Sequence, residues 1–216
     1  MPSHRLWAFE RGVFWALDLE ERAPPATTHV PAAPVTCEEA RPDGEAALAQ
    51  AMGLSEMGEI RRRFAAGSRC YVARDVSGAI AGYGWVSRGE ERIGELERSF
   101  RLPPDEAYIW DCATLPPYRQ RGVYTALLEA MVSALWGEGV RRIWIGSSRD
   151  NRPSLRGFAR AGFQPVARVT FVRALGLRRL WLTAEPDTSP ALVAETRDAL
   201  REGAASAEHA TSARVR

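Results

Sequence analysis

Residues 107–148 read as a strand, a loop, a long helix and a second strand, and that unit constrains the fold more than any other stretch. "AYIWDCATL" (107–115) is a strongly apolar run of strand length. Pro116 and Pro117 end it, because proline has no N–H to give to a ladder. "VYTALLEAMVSALWGEG" follows, with Val123, Leu127, Met131 and Leu135 repeating every four residues, the spacing of a buried helix face. "RRIWIGSS" (141–148) is the next apolar run. A strand–helix–strand crossover covers a sheet with its helix, which points to an α/β or α+β domain.

The rest of the chain can be read around this unit. "VTCEEA" begins a first core strand near residue 35. "RPDGEAALAQAMG" reads as a helix with Asp43 as N-cap and Gly53 as stop. "SEMGEIRRRFAAG" reads as another, with Ser55 as N-cap, Met57, Ile60 and Phe64 on its apolar face and Gly67 at its end. "RCYVARDVSGAIAGYGWVS" is two apolar runs about Asp75–Gly78, a hairpin signal. Residues 88–106 are charged and broken by Pro103-Pro104, and read as a connection with a strand fragment. "RPSLRGFARAG" is a short helix ending at Gly162, and "FQPVARVTFVRALGLRRLWLTA" supplies two closing strands. The order β–α–α–β–β–β–α–β–α–β–β gives a mixed sheet with helices on both faces. It divides the chain into an extension and linker (1–34), one domain (35–183) and a tail (184–216). In the extension, "LWAFERGVFWALDLE" suggests a short hairpin about Glu10-Arg11-Gly12, and the Pro-rich "RAPPATTHVPAAP" a linker. In the tail, Ser189-Pro190 can start one weakly amphipathic helix reaching toward Gly203, with flexible chain beyond.

Composition excludes several classes of function. A formal net charge of +2 gives no electrostatic case for nucleic acid. All 29 cationic side chains are arginine, so the chain has no lysine amine of its own to acylate. Cys37, Cys70 and Cys112 are far apart and odd in number, which suits reduced thiols in a cytoplasm better than a disulfide framework or zinc cluster. His4, His29 and His209 lie near the chain's ends, which argues against a histidine triad or metal site. No apolar run has the length of a membrane span, and Glu10, Arg11 and Asp18 interrupt the first apolar patches, against a signal peptide.

The stretch Tyr118–Gly122, at the mouth of the long helix, carries chemistry. The first N–H groups of a helix have no internal partner and, with the helix dipole, favour an anion. Gly122 lets the backbone approach that anion closely, and Arg119 and Arg121 can add charge-assisted bonds to phosphate. The alternative is a glycine that only relieves a tight turn, with two solvated arginines.

The neighbours of this loop resemble the GCN5-related N-acetyltransferase (GNAT) superfamily. Its acetyl-CoA loop, R/Q-x-x-G-x-G/A, matches Arg119-Gln120-Arg121-Gly122-Val123-Tyr124. About thirty residues later the family often carries an asparagine, a short helix and a Gly-Phe pair; here these are Asn151, "PSLRGFARAG" and Gly162-Phe163. The resemblance covers about residues 35–183. It implies a mostly antiparallel sheet splayed between its fourth and fifth strands, with acetyl-CoA as cosubstrate and no metal. Main-chain N–H groups from Arg121 to Tyr124 and the Thr125 hydroxyl would hold the pyrophosphate. Main-chain groups near Ala113 and Leu115 would pair with the pantetheine arm, and Asn151, Ser154 and Phe158 would lie along it. Two positions depart from the pattern. Tyr124 replaces a small residue and is expected to point away from the phosphates along its helix. Phe158 stands where many members have a tyrosine that protonates the leaving thiolate, so that role is not carried over.

A general base is harder to place. Counting back from Gly122, Tyr108 takes the position where some members hold a glutamate, and Glu106 shares its face if the strand extends that far. Asp111 lies inside the strand on the opposite face, either paired with an arginine or raised in pKa by apolar surroundings. Cys112 could be acylated, but reads first as a small core residue. Trp85, Trp110 and Trp144 are expected in the core. The resulting expectation is an acyl-CoA-dependent N-acetyltransferase, monomer or homodimer, acting on a primary amine by direct attack with strand N–H groups stabilising the tetrahedral intermediate. The alternative is a domain that binds acyl-CoA as a sensor or assembly partner without turnover.

Overall fold

The computed structural model describes residues 7–19, 31–54, 57–174 and 177–202. In chain order the strands and helices are β1 (Trp7–Asp18), β2 (Val35–Glu39), α1 (Glu45–Ala51), α2 (Gly58–Ala65), β3 (Arg69–Asp75), β4 (Ile80–Ser87), β5 (Glu90–Ile93), β6 (Arg98–Arg101), β7 (Glu106–Thr114), α3 (Val123–Gly137), β8 (Arg142–Ser148), α4 (Arg152–Arg160), β9 (Gln164–Ala174), β10 (Leu177–Ala184), α5 (Pro190–Ala199) and β11 (Leu200–Glu202). Eight strands form the main sheet in the order β10-β9-β1-β8-β7-β4-β3-β2. Every pair is antiparallel except β7 and β8, which the α3 crossover joins in parallel. This is the mixed, mostly antiparallel sheet expected from the order of elements, with helices on both faces.

The amphipathic helices cover those faces through their apolar sides. α3 lies with α4 on one face, its Leu127, Leu128, Met131 and Leu135 fully buried against Ile109, Ile143 and Ile145. A fully buried leucine or methionine is worth about 1.5–3 kcal/mol, so this side chain row fixes the crossover. α1 and α2 pack on the other face, around Leu48, Ile60, Cys70, Val72 and Trp85. Asp43 caps no helix: it lies in a 3-10 turn, Pro42–Gly44, and α1 begins after it without a side-chain cap. Ser55 lies outside the described residues. The Asp75–Gly78 hairpin turn forms as expected, its Asp75 carboxylate accepting from the Ser77 N–H at 2.8 Å and the Ala79 N–H at 3.0 Å. Among the described residues, no helix is long and apolar enough to cross a membrane.

Two regions differ from expectation. The expected N-terminal hairpin is a single strand, β1, running between β8 and β9 in the middle of the sheet. Gly12 makes no turn there. It lies opposite Ser148 and Val169, where an added Cβ would come within 2.9 Å of the Val169 side chain. Phe14 and Ala16 enter the core on one face while Trp15 and Leu17 pack on the other, so this half of β1 shows no alternation. The second difference is the charged connection 88–106. It folds as β5 and β6, which form a separate sheet with β11 in the order β11-β6-β5. The expected C-terminal helix is present as α5, capped by the Ser189 hydroxyl accepting from the Leu192 N–H at 3.2 Å. It delivers β11 to β6.

Candidate active site

β7 and β8 pair only from Glu106–Arg142 to Ile109–Ile145, and then separate. A bulge in β7 accompanies the separation. Trp110 lies opposite Trp85 and Ala113 opposite Tyr83, so Asp111 and Cys112 together face Gly84. Asp111 takes a left-handed backbone, φ 43°, which an aspartate tolerates better than most residues. Only glycine fits at 84, because a Cβ would meet the Cys112 sulfur at 2.7 Å. The separation is a cavity of about 590 Å³ walled by β1, the β5–β6 turn, β7, β8, Arg63 of α2, Tyr124 of α3, and Asn151, Ser154 and Phe158 of α4.

The loop before α3 opens beside this cavity. Gly122 is the helix N-cap at φ 80°, Gln120 has φ 61°, and no side chain caps the helix. The first backward bond at this end is from the Ala126 N–H to the Gly122 carbonyl, 3.1 Å, so the N–H groups of Val123, Tyr124 and Thr125 have no helical acceptor. The loop is tethered on several sides. Tyr118 donates its hydroxyl hydrogen to Asp75, the Arg119 Nε donates to the Thr114 carbonyl at 3.2 Å, and the Ala32 N–H donates to the Arg121 carbonyl at 3.0 Å. Hydrogen bonds from Ser77 and Tyr118 lower the Asp75 pKa to about 2. Arg119, Gln120 and Arg121 are exposed, while Thr125 is only 3% exposed and its side chain lies inside the fold. Leu115 uses both main-chain groups within the protein, N–H to the Ala81 carbonyl and carbonyl to the Tyr118 N–H. Ala113 is half-buried beside the bulge.

Asn151 caps α4, its Oδ1 accepting from the Ser154 N–H at 3.3 Å, which leaves its two amide hydrogens for other partners. Tyr124 does not run along its own helix as expected. Its ring lies against α4, where a Cβ on Gly157 would come within 2.5 Å of it, and its phenol has Ser154 as hydrogen-bond partner. Burial raises the Tyr124 pKa well above the ordinary value, so the phenol stays protonated. Phe158 is 1% exposed and packs 5.8 Å from Trp15 and 6.4 Å from Tyr124. The cavity therefore holds a phenol beside the phenylalanine that has none.

The candidate acid–base residues end in different places. Tyr108 is 6% exposed and lines the cavity, its hydroxyl oxygen 3.5 Å from the position a Cβ on Gly146 would occupy. Burial, with negative charge from Glu95 and Glu91, pushes its pKa far up. Glu106 is 3% exposed and is held by Arg141, by Arg142 at 3.5 Å and by the Trp144 Nε1–H at 2.6 Å. Those donors occupy it at the closed end of the β7–β8 pair, outside the cavity wall. Asp111 lines the cavity but is paired with Arg63 at 2.5 Å. Cys112 lines it too, with a thiol that burial holds protonated, unsuited to covalent acylation. Trp85 and Trp144 are core residues, whereas Trp110 is a half-buried part of the cavity wall.

Three contributors were not legible in the sequence. Arg63 bonds to both Asp111 and Glu59 and lies over the rings of Trp110 (4.6 Å) and Trp85 (4.9 Å). Glu91 and Glu95 reach the cavity from the stretch read as a connection. The one available signal for Arg63 was its i, i+4 spacing from Glu59, which also suits an ordinary solvated helix face.

Comparison with known proteins bears on the family and the fold. The acetyltransferase (GNAT) family model matches residues 36–163. An uncharacterized N-acetyltransferase of Mycobacterium tuberculosis (strain H37Rv) is 28% identical over 94 residues, 44% of this chain and 52% of that protein. The chain thus spans about half the length of the curated relatives it matches. Among solved structures, a GCN5-related N-acetyltransferase from Sphaerobacter thermophilus superposes with a TM-score of 0.56 at 20% identity, over 85% of this chain and 56% of that one. A GNAT-family acetyltransferase from Colwellia psychrerythraea gives 0.55 at 12% identity, over 76% and 56%. At these identities the structural likeness is one of fold, and the family match spans more than half of the chain: the chain belongs to the GNAT family of acetyltransferases.

Proposed function

We propose that this chain moves an acetyl or short acyl group from acyl-CoA to a primary amine by direct attack. The observation that carries the reading is the uncapped N-terminus of α3 opening beside the cavity where β7 and β8 separate. The N–H groups of Val123 to Thr125 and the close approach at Gly122 fit a pyrophosphate, and the exposed Arg119 and Arg121 add charge. The side chain of Thr125 and the main chain of Leu115 drop out of that binding set. The Asn151 amide and the edge of β7 near Ala113 fit the pantetheine amides, with Ser154 and Phe158 along the same wall. Bound acyl-CoA supplies an activated thioester. The bulged main chain at Asp111–Cys112 can donate to the developing oxyanion. The Tyr124 phenol, protonated and close to Phe158, is placed to donate a hydrogen bond to a departing sulfur.

The test is a CoA-release assay across amines, peptides and amino sugars, run with calorimetric binding of acetyl-CoA. Binding together with release for at least one acceptor class supports the proposal. Binding without release for every acceptor would favour the sensor alternative, and absence of binding would reject both.

A further inference from the structure

Strand β5 and the turn after it carry chemistry that the loop and strands of the proposed CoA site do not use. Glu91 is a half-buried carboxylate on the cavity wall. It is aimed by a chain of hydrogen bonds rooted in the core. Trp110 Nε1–H donates to the Ser87 hydroxyl at 2.9 Å, and that hydroxyl donates to Glu91 Oε2. Ser87 is itself 5% exposed and contacts Ser68 Oγ at 3.1 Å. The other carboxylate oxygen of Glu91, Oε1, accepts from the Arg92 N–H at 2.9 Å. Among the described residues, no cation forms an ion pair with Glu91. A carboxylate fixed this way on a cavity wall, with no cationic partner, differs from a solvated surface glutamate.

A second, independent observation stands across the cavity. The Tyr108 side chain is more than nine-tenths buried and lines the same space, its hydroxyl oxygen beside Gly146 on the cavity wall. The charges of Glu91 and Glu95 both act on Tyr108, so the phenol and the carboxylates share one region. The other charges facing Glu91 are accounted for. Arg63 of α2 is engaged by Asp111 of β7 and by Glu59, and Arg11 of β1 lies over the Phe9 ring at 6.0 Å. Glu10 of β1 and Arg92 of β5 are exposed. Phe14, Ile93, Leu96 and Val169 give the same cavity apolar walls.

We infer that Glu91 receives the acceptor as an ammonium ion and takes its proton, with the Tyr108 phenol as the second contact to the same nitrogen. The substrate class is a primary amine, cationic at neutral pH, on an apolar body. This rests on the acyl-transfer reading of the site. In the step, an N–H bond of the ammonium breaks and its proton passes to the Glu91 carboxylate. The nitrogen keeps the electron pair and is free to attack. Protonated Glu91 then returns the proton to water at the cavity mouth.

The experiment uses Glu91→Gln, which keeps an oxygen to accept from Ser87, with two matched nucleophiles. Benzylamine is an ammonium at pH 7; O-benzylhydroxylamine is neutral there. In the variant, kcat/KM for benzylamine should fall by about 100-fold or more, as for loss of a general base. For O-benzylhydroxylamine it should change by less than about threefold, because that nitrogen has no proton to lose before attack. An equal loss with both, or no loss with benzylamine, would overturn the inference and leave acyl transfer standing. Calorimetry provides a reading without turnover. Benzylamine should bind the wild-type protein at least about tenfold more tightly than Glu91→Gln, a difference of about 1.4 kcal/mol, while acetyl-CoA binds both alike. Equal benzylamine affinity would overturn the ammonium site even if no nucleophile is acetylated by the wild type, a result that would separately sink the acyl-transfer reading.

Discussion

Gly122 shows how one residue can serve both fold and site. Its backbone at φ 80° is left-handed, so any side chain there is strained, and a branched one would also crowd the uncapped α3 N-terminus at which we propose the pyrophosphate binds. Gly122→Val is expected to weaken acetyl-CoA binding by at least about tenfold, about 1.4 kcal/mol. Calorimetry on a variant that still melts cooperatively checks this, and an unchanged affinity would remove the cradle. Tyr124 is the second residue-scale case. If its phenol stabilises the departing sulfur, Tyr124→Phe should lower kcat by about tenfold or more and leave the KM for acetyl-CoA near wild type, since that bond strengthens only as the sulfur leaves. A matching rise in KM with constant kcat would make it a binding residue instead. The helix-end positions of Gly122 and Asn151 were legible because they depend on backbone geometry, which a local motif records. Glu91 and Arg63 were not. A glutamate in a charged connection and an arginine on an amphipathic helix have the same local pattern whether they face solvent or turn inward, and only the packing of β5 and α2 decides.

At the scale of elements, the loop before α3 is positioned partly by a hairpin remote in sequence. Asp75 in the β3–β4 turn accepts from Ser77, Ala79 and Tyr118, and these bonds take its pKa from 3.8 to about 2. A carboxylate whose pKa is lowered on folding stabilises the folded state fully above its ordinary pKa. That contribution is lost as pH falls through the folded value. Asp75→Asn should therefore melt below wild type at pH values above about 4, and the two curves should converge as pH falls toward about 2. Thermal unfolding across this range is the check, and a gap that persists at the acid end would show that the carboxylate's charge is not what matters. The elements themselves were unevenly legible. The hairpin, α3, β8 and α4 carry clear periodicity or turn chemistry. β1 was misread because Glu10-Arg11-Gly12 looks like a turn, although the glycine answers to the nearness of the Val169 side chain on the neighbouring strand β9. β5, β6 and β11 are three or four residues each and mostly charged, too short for alternation to show.

Across the whole molecule, the sheet is two half-sheets joined through four residue pairs of β7 and β8, and the cavity lies where that join ends. Such a seam needs support from outside the sheet. The second sheet gives it through Phe100 of β6, which is 0% exposed. Its ring lies 5.3 Å from Phe14 of β1, 5.2 Å from Tyr108 of β7 and 5.7 Å from Trp144 of β8. One side chain thus touches both halves and the strand that sequence reading placed outside the domain. It also backs the β5–β6 hairpin that carries Glu91 and Glu95 and supports the ring of Tyr108. The loop before α3 stands apart from this cluster, tied to Asp75, Thr114 and Ala32. Phe100→Ala should cost about 3–5 kcal/mol, the range for removing a buried phenylalanine. Urea denaturation measures that loss. In a variant still folded under assay conditions, the amine KM should rise several-fold while calorimetric acetyl-CoA affinity stays near wild type, because the acceptor wall loosens and the cradle does not. Equal loss of amine and CoA binding would mean that the two half-sites share one mechanical support. A stability loss with both affinities intact would confine Phe100 to the core and detach the second sheet from the acceptor site.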